Sequence, residues 1–156
     1  MSEYYITRKG YEKLYLEYLN IDKEIIEANK MMGESVKRDN DLRENPEFMA
    51  LRVKTMYELP SRKKELWDKY NEAIIIEETE EYRNFDGNTV IKGCKVKLDL
   101  GDEICEYQIM GSSEGDLDND ILSCDSPMAQ VLLGKRLGET VVMNEMKIRI
   151  MEIEKI

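Results

Sequence analysis

The chain has 156 residues, of which 33 are acidic and 23 basic, and its formal net charge is −10. This charge argues against a protein that holds nucleic acid by bulk electrostatic attraction. The chain has no histidine, and its three cysteines do not form a CxxC motif. An imidazole-based hydrolytic triad and a His-containing zinc site are therefore excluded, and reduced structural thiols are expected.

Hydropathy and length indicate where the protein is located in the cell and how many domains it can form. No stretch approaches the ~20 apolar residues of a membrane-spanning helix, and the N-terminal sequence "MSEYYITRKGYEK" lacks the apolar region of a signal peptide. We therefore expect a cytoplasmic protein that does not associate with membranes. A hydrophobic fraction of 42% suffices for a core, and the length suits one ordinary domain or two small ones.

The first half of the chain has helical periodicity. Apolar side chains recur in alternating steps of three and four, which predicts two helices packed along one another. Because a short polar segment joins them, we expect an antiparallel coiled-coil hairpin. The predicted seam consists of Tyr11, Leu14, Tyr18, Ile21, Ile25, Ala28 and Met32 in the first helix and Met49, Met56, Leu59, Leu66, Tyr70 and Ala73 in the second.

Four residues disturb this periodicity. Arg52 and Lys63 interrupt the seam of the second helix, and Gly33 weakens the first helix locally. Pro60 predicts a bend in the second helix, because proline removes a backbone hydrogen bond and clashes with the preceding turn.

The polar segment between the helices, "RDNDLRENPEF", carries two carboxylates, Asp41 and Glu44. Asn45 suits the N-cap of the second helix and Pro46 its first position. Helix capping is one ordinary explanation of this acidic pair. Chance is another, because a chain with 33 acidic residues contains many pairs at this spacing. Carboxylates bind Mg²⁺, but two of them supply too few oxygens for its octahedral shell, so a partner or substrate phosphates would have to complete a site.

Basic residues gather around the same segment, and they have two interpretations. They are Lys37, Arg38, Arg43, Arg52 and Lys54. A solvated helix surface is the ordinary explanation of such a group, and an RNA-contacting patch is the other.

The periodicity changes after "EETEEY". The segments "TVIKGCKVKLDL", "EICEYQIM", "ETVVMN" and "KIRIMEIEKI" alternate as strands do, and "SPMAQVLLGKRLG" predicts a short amphipathic helix. We therefore predict an α+β protein: a coiled-coil hairpin with an acidic tip over residues 1–80, followed by a small antiparallel sheet domain with one helix over residues 81–156. The boundary is expected near residues 79–84.

Three segments of the chain resemble one known family. The segment "NDLRENPEF" resembles the acidic tip, D-L-[S/K]-E-N-A-E-Y, of the Gre family of bacterial transcript cleavage factors. The stretch "YQIMGSSEGDLDNDILSCDSPMAQVLLGKRLGETV" is similar to the globular domain of that family, with its I-V-G, E-x-D, I-S-x-x-S-P and L-x-G-x-x-x-G-D pieces in order. The opening "ITRKGYEKLYLEYLNI" matches T-x-x-G-x-x-x-L-x-x-E-L. The resemblance spans nearly the whole chain.

This resemblance implies a transcription elongation factor that is an accessory protein and not itself an enzyme. The C-terminal domain would have an FKBP-like fold and dock at the rim of the secondary channel of RNA polymerase. The hairpin would reach down the channel, where the tip acids help to hold a Mg²⁺ shared with the polymerase and orient a water. The polymerase would then cut the 3′ end of backtracked RNA. The implied partners are RNA polymerase and the nascent RNA 3′ end, with weak or no independent DNA binding.

Carried onto this sequence, the resemblance assigns roles to individual residues. Asp41 and Glu44 would be the catalytic acids and Mg²⁺ ligands, and Leu42 and Asn45 would position the tip. The residues that would steady the RNA are Lys37, Arg38 and Arg52. The segment that contacts the polymerase rim corresponds to Ile121, Ser123, Asp125, Ser126 and Pro127, although the Ser126-Pro127 pair alone is better explained as a helix entry.

The sequence departs from the family pattern at three places, which keeps other functions open. Asn40 replaces the glycine expected before the tip, Pro60 is foreign to the second helix, and "MNEM" stands where a Pro-Gly-Gly turn is expected. One alternative is a Gre-like protein that occupies the channel and inhibits without cleavage. The others are a prolyl isomerase, for which Tyr82, Phe85 and Tyr107 are the available aromatic residues, and a generic coiled-coil adaptor.

Overall fold

The computed structural model of the protein describes residues 3–38 and 45–156. They form two compact units, one combining the residues up to Tyr11 with Ala73–Ile156, the other spanning Glu12–Glu72. The sequence placed the boundary later and kept the N-terminal residues with the helices. The difference arises because strand β1 (Tyr4–Ile6) pairs in parallel with β2 (Ala73–Ile75). The predicted α+β class is confirmed.

The helical unit is an antiparallel hairpin, as predicted. Helix α1 spans Arg8–Arg38, and the second arm runs through α2 (Pro46–Val53), a π turn (Lys54–Glu58) and α3 (Leu59–Glu72). Contacts between the arms run in opposite directions along the two chains. The rings of Tyr15 and Tyr70 lie 5.4 Å apart, those of Tyr18 and Trp67 5.1 Å apart, and Asp22 accepts a hydrogen bond from Lys63.

The seam of α1 repeats every seven residues. Leu14, Ile21, Ala28 and Ser35 are buried, and the intervening positions Tyr11, Tyr18, Ile25 and Met32 are half-buried. The seam predicted for this helix is therefore confirmed and continues one position further, to Ser35. Burial of this stripe is what holds the hairpin together, since isolated helices of this composition have little stability of their own.

The seam of the second arm differs from the prediction on its tip side. Met49 and Met56 are 44% and 52% exposed, so their placement in the seam was wrong. Phe48 and Thr55, one residue earlier, are half-buried instead, while Leu59 is buried as predicted. The reason is the π turn, which takes one residue more than an α turn and shifts the seam by one position.

Pro60 accounts for the position of the π turn. Proline has no backbone N–H and clashes with the carbonyl of the preceding turn in a regular α-helix. The N–H of Leu59 bonds to the carbonyl of Lys54, five residues back, immediately before the proline. The backbone at Val53, Lys54 and Leu59 stays right-handed helical. Pro60 thus widens the helix locally without ending it.

The second unit is built on a five-stranded sheet. The strands are β3 (Cys94–Asp99), β4 (Ile104–Met110), β5 (Ile121–Ser123), β6 (Thr140–Met143) and β7 (Met146–Lys155), in the order β5-β4-β3-β7-β6. Three pairings are antiparallel, but β5 runs parallel to β4. The expectation of an entirely antiparallel sheet was wrong at this edge, because β5 was not predicted as a strand.

One face of this sheet forms the core. Cys94, Val96 and Leu98 alternate inward along β3 and are fully buried. The predicted amphipathic helix is present as α5 (Pro127–Leu132), and its Ala129 and Leu132 pack into the same cluster. A further short helix, α4 (Glu80–Arg83), follows β2 and was not predicted.

The hairpin between β6 and β7 turns in two residues. Asn144 and Glu145 have φ angles of 51° and 67°, and Met143 pairs with Met146 across them. Two consecutive residues with positive φ are typical of a type I′ turn, whose twist matches that of the strands. "MNEM" therefore closes the hairpin without the glycines expected from the family pattern.

Within residues 3–38 and 45–156, no helix has the length and apolar content that crossing a membrane requires.

Candidate functional site: the hairpin tip and the β5–α5 segment

The predicted acidic pair lies in the part of the tip that the structure leaves out. Asp41, Leu42 and Glu44 fall outside the described residues, between Arg38 and Asn45. Their roles stay predictions from the sequence. The structure does describe the last turn of α1 and the first turn of α2, which flank them.

Asn45 begins α2 with the geometry of an N-cap. Its backbone is extended, its Oδ1 accepts a hydrogen bond from the Phe48 N–H at 3.0 Å, and Pro46 is the first helical residue. Glu47 lies in the first turn, where the positive end of the helix dipole favours an acid. The local structure predicted for this segment is therefore confirmed, while the role of Asn45 in positioning the tip stays a prediction.

The amide nitrogen of Asn45 joins the two arms of the hairpin. Nδ2 donates to the Ser35 hydroxyl at 2.8 Å and more weakly to the Ser35 carbonyl at 3.3 Å. Asn45 is 5% exposed and Ser35 1% exposed. Sequence reasoning missed Ser35, although its place seven residues after Ala28 marks it as a seam position.

The three basic residues predicted to contact RNA are all exposed. Lys37 and Arg38 lie in the last turn of α1, where cations interact favourably with the helix dipole. Arg38 pairs with Glu47 at 2.7 Å, and the Nε of Arg52 donates to the Met56 sulfur at 3.4 Å. An exposed ion pair of this kind contributes little stability, so its arginine can exchange Glu47 for another anion at small cost.

The predicted docking residues lie along the connection from β5 to α5. Ile121 and Ser123 are half-buried on β5, whereas Asp125 and Pro127 are exposed. Ser126 is the N-cap of α5, and its hydroxyl accepts from the Ala129 N–H at 3.3 Å. The helix-entry interpretation of Ser126-Pro127 is therefore confirmed, and docking remains a separate prediction for the same residues.

Hydrogen bonds hold this connection in one conformation. The Ser123 hydroxyl donates to the Ser112 carbonyl at 2.9 Å and accepts from the Asp125 N–H at 3.2 Å. The Gln130 side chain donates to the Cys124 carbonyl at 2.7 Å. Because these bonds order the backbone, the exposed Asp125 and Pro127 are presented from a fixed segment.

Comparisons with known proteins identify the family. Residues 86–155 match the family model "Transcription elongation factor, GreA/GreB, C-term". The transcription elongation factor GreA of Halalkalibacterium halodurans is 35% identical over 162 residues, covering 97% of each chain. The GreA of Shouchella clausii is 36% identical over the same length and coverage. This chain belongs to the GreA/GreB family of transcription elongation factors. The resemblance stated from the sequence is confirmed.

A solved structure of GreA factor homolog 1 (Gfh1) of Thermus thermophilus is also similar to this Gre-family chain. It is 25% identical and covers 98% of this chain and 99% of its own, with a TM-score of 0.42.

A network around Glu114 explains two of the Gre-type motifs. Thr7 accepts from the Tyr11 N–H through its carbonyl and from the Gly10 N–H through its hydroxyl, which caps α1. Both carboxylate oxygens of Glu114 accept from Thr7 at 2.6 Å, one from its N–H and one from its hydroxyl, and the Gly111 N–H adds a third bond at 3.1 Å. The opening T-x-x-G motif thus binds the loop after β4.

Close packing leaves no room for a side chain at either glycine of this network. A Cβ on Gly10 would lie 2.7 Å from Glu114 Oε2, and one on Gly111 would lie 2.3 Å from the Tyr5 carbonyl oxygen. Neither contact was predicted, because each joins residues more than a hundred positions apart in the sequence.

The three cysteines of this Gre-family chain are free thiols. Burial raises the pKa of the Cys94 thiol to about 11 and also raises the pKa of Cys124. Both thiols are therefore protonated near neutral pH and are poor nucleophiles. In the described parts of the chain, no group of three His, Cys, Asp or Glu side chains is arranged to hold a metal ion.

A pocket of about 280 Å³ lies beside α4, and it bears on the prolyl isomerase alternative. It is lined by Glu80, Glu81, Asn84, Phe85, Asp86, Thr89 and Ile91. Phe85 is the one aromatic residue in this lining, and three acids surround it. An isomerase pocket needs an aromatic wall for its proline, and a single aromatic residue does not supply one, so this pocket does not favour that function.

Proposed function

We propose that this Gre-family chain binds RNA polymerase and stimulates the polymerase to cleave backtracked RNA 3′ ends, so that stalled complexes resume elongation. The observation that carries the proposal is a hairpin whose two arms are joined by the buried Ser35–Asn45 contact, immediately next to the acids Asp41 and Glu44 in the sequence. A rigid support of this kind is what delivery of carboxylates to another protein's active centre requires.

The proposal divides the work between the two units. The ordered β5–α5 segment, with Asp125 and Pro127 exposed, would contact the polymerase, and the hairpin would enter the secondary channel. The tip then acts by positioning and electrostatics, because the polymerase supplies the scissile phosphate and the catalytic centre.

The donor set of the tip fits a shared Mg²⁺ and not one bound by this chain alone. Asp41 and Glu44 offer hard carboxylate oxygens, which Mg²⁺ prefers, but fewer than its six-coordinate shell needs. Ligands from the polymerase and the RNA phosphate would complete it. Bound there, Mg²⁺ stabilises charge on phosphate oxygens and lowers the pKa of a bound water. The two carboxylates would hold the ion and accept hydrogen bonds that orient the attacking water.

The basic residues beside the tip would steady the RNA. Lys37, Arg38 and Arg52 are exposed near the ends of the two arms, and cationic side chains bind phosphate oxygens without reading sequence. The net charge of −10 suits this local role, since it leaves little general affinity for DNA.

The decisive experiment follows 3′-labelled RNA in defined backtracked elongation complexes. Wild-type protein is expected to shorten the RNA, and Asp41→Ala with Glu44→Ala is expected to abolish this while polymerase binding stays within a few-fold. Glu47→Ala is the matched control: it removes an acid from the same end of the hairpin, one that pairs with Arg38, and should retain cleavage.

Three results would contradict this scheme. Wild-type protein that slows elongation without shortening RNA would indicate an inhibitor that occupies the channel. A double variant that loses binding would show that the acids act in docking. A double variant that still supports cleavage would leave the hairpin as an adaptor whose acids have no chemical role.

A further inference from the structure

The loop that follows β4, residues 111–116, is bonded on one side to the N-terminal segment of the chain. Glu114 accepts from the Thr7 N–H and from the Thr7 hydroxyl, at 2.6 Å each. The Ser112 N–H donates to the Tyr5 carbonyl at 2.8 Å, and the Tyr5 N–H donates to the Ser112 hydroxyl at 3.3 Å. This loop, called the 111–116 loop below, is thus attached at Ser112 and at Glu114.

The same loop holds β5 on its other side. The Ser112 carbonyl accepts from the Ser123 hydroxyl at 2.9 Å, and Asp116 and Ile121 exchange two backbone hydrogen bonds of 2.9 Å. A Cβ on Gly115 would lie 3.1 Å from the Ser123 nitrogen, so the loop backbone packs directly against β5. Within one compact unit, the loop therefore connects the N-terminal segment with the start of the β5–α5 segment.

Strand β5 depends on this loop because it is short and lies at the edge of the sheet. It has three residues, and its neighbour in the described sheet is β4. Three residue pairs hold a strand weakly, since hydrogen bonds at an exposed edge open locally with little free energy. The bonds from the 111–116 loop supply the support that a second neighbouring strand gives elsewhere in the sheet.

Glu114 is suited to fasten the loop because its partner is the N-terminus of a helix. The first turn of α1, which the structure describes in full, contains no acidic residue, although Arg8 and Lys9 lie in it. An acid is favoured at this end of a helix, and hydrogen bonds to a carboxylate are stronger than those between neutral groups. Glu114 supplies this acid, and it lies two residues before Asp116, which pairs with β5.

We propose that Glu114 is a positioning residue for the contact between this chain and RNA polymerase. The inference rests on the proposed docking role of the β5–α5 segment and adds a residue outside that segment. By fastening the 111–116 loop to Thr7, Glu114 keeps β5 in place, so that Asp125 is presented from a fixed backbone. Without the carboxylate, the loop stays attached at Ser112 and its other end is released. The competent conformation is then less populated, and the apparent dissociation constant rises in proportion.

The test compares Glu114→Ala with two matched variants. Glu114→Gln removes the same charge, but its amide oxygen can accept from the Thr7 N–H and its amide nitrogen can donate to the Thr7 hydroxyl. Thr79→Val removes a hydroxyl that caps α4 in the same unit, where it accepts from the Tyr82 N–H and donates to the Ile76 carbonyl. It tests whether a general loss of stability weakens binding.

Each protein is titrated against RNA polymerase and assayed for RNA cleavage, well below its melting temperature. Glu114→Ala is expected to raise the dissociation constant about tenfold, the effect of losing about one net charge-assisted hydrogen bond. The factor concentration for half-maximal cleavage should rise by the same factor, while the maximal rate at saturation should match wild type. Glu114→Gln should stay within about threefold of wild type. Thr79→Val should bind as wild type does, because a folded protein binds with its own affinity.

Three results would overturn the inference alone, if wild-type protein binds the polymerase. One is an unchanged dissociation constant for Glu114→Ala. Another is an equal loss in Glu114→Gln, which would make charge the cause, or in Thr79→Val, which would make general stability the cause. The third is a lower maximal rate of cleavage at an unchanged half-saturating concentration, which would place the effect of Glu114 outside docking.

Hydrogen exchange in the free protein separates this inference from the proposed function. The Ile121 and Cys124 N–H groups, bonded to the carbonyls of Asp116 and Met110, should exchange faster in Glu114→Ala than in wild type. The N–H groups of β3 should exchange at the same rate in both proteins. If wild-type protein bound no polymerase, the proposed function would fail, and exchange would still show whether Glu114 orders the β5–α5 segment. Unchanged exchange at Ile121 and Cys124 would overturn the inference.

Discussion

Lys63 lies in the seam of the hairpin and donates from its Nζ to Asp22 Oδ1 at 2.6 Å. The sequence suggested that this lysine interrupts the seam. In the structure it is half-buried, its ammonium is 5.5 Å from the centre of the Tyr18 ring, and it bonds across to α1. A lysine can occupy such a position because its long stem packs while its charged end reaches a partner.

This pair predicts a specific dependence of stability on pH. The hydrogen bond to Asp22 raises the pKa of the Lys63 ammonium above its ordinary value of 10.5. A group whose pKa is higher in the folded than in the unfolded state stabilises the folded state as long as the group is protonated. The contribution is therefore fully present below pH 10.5 and is lost as the pH rises through the folded-state pKa. The stability of wild type relative to Lys63→Met should therefore stay constant at neutral and mildly alkaline pH and fall only as the pH rises through 10.5 and above.

Thermal melts of both proteins across this range measure the effect. Lys64→Met, at the neighbouring exposed position, is the control and should show a smaller change relative to wild type. High salt should reduce the Lys63 effect, because the pair is only partly shielded from solvent. A Lys63→Met difference that stays constant with pH would argue against the bond to Asp22.

The β6–β7 turn predicts a stabilising substitution. Glu145 has a φ of 67°, a conformation that costs a residue with a Cβ and costs glycine nothing. Glu145→Gly should therefore stabilise the protein by about 1 kcal/mol, less the entropy that glycine adds to the unfolded chain. Denaturant unfolding checks this. Glu139→Gly, at an exposed position without positive φ, should instead destabilise, and a similar effect of both changes would exclude the turn as the cause.

Two glycines of the chain should respond to alanine in opposite directions. At Gly111 the new Cβ would lie 2.3 Å from a backbone oxygen, and the free energy of unfolding should fall by more than about 2 kcal/mol. At Gly33, inside α1, no described atom lies within 4 Å of the new Cβ, and alanine should stabilise the helix by about 0.5–1 kcal/mol. Unfolding curves of Gly111→Ala and Gly33→Ala measure both. If Gly33→Ala destabilised the protein, the expectation that alanine is accommodated at this helical position would be wrong.

The sequence predicted the features that repeat and missed those that do not. The α1 seam and the strand β3 were accessible because burial there follows the helical or strand period over several turns or residues. The seam between Phe48 and Thr55 was misplaced because one π turn breaks a period assumed to be uniform. Strands of three residues such as β1, β2 and β5 are too short to show any period.

The candidate site was predictable to a similar extent. Asn45 was identified as a cap because capping depends on adjacent residues. Its bond to Ser35 depends on the folding back of the hairpin, and the Thr7–Glu114 network joins residues far apart in the chain. Such contacts leave no local pattern. The chemical role of Asp41 and Glu44 came from the family resemblance, since their spacing alone equally suits a cap.

The π turn also has a consequence for how the tip can vary. One residue corresponds to about 100° of rotation around a helix, so adding or removing a residue within Lys54–Glu58 would re-phase α2 against α3. Pro60 follows this turn and, having no backbone N–H, already departs from regular α geometry there. Such a change would turn Asn45 and Phe48 away from α1 and break the bond to Ser35, while Leu59 and Leu66 would keep their places in the seam.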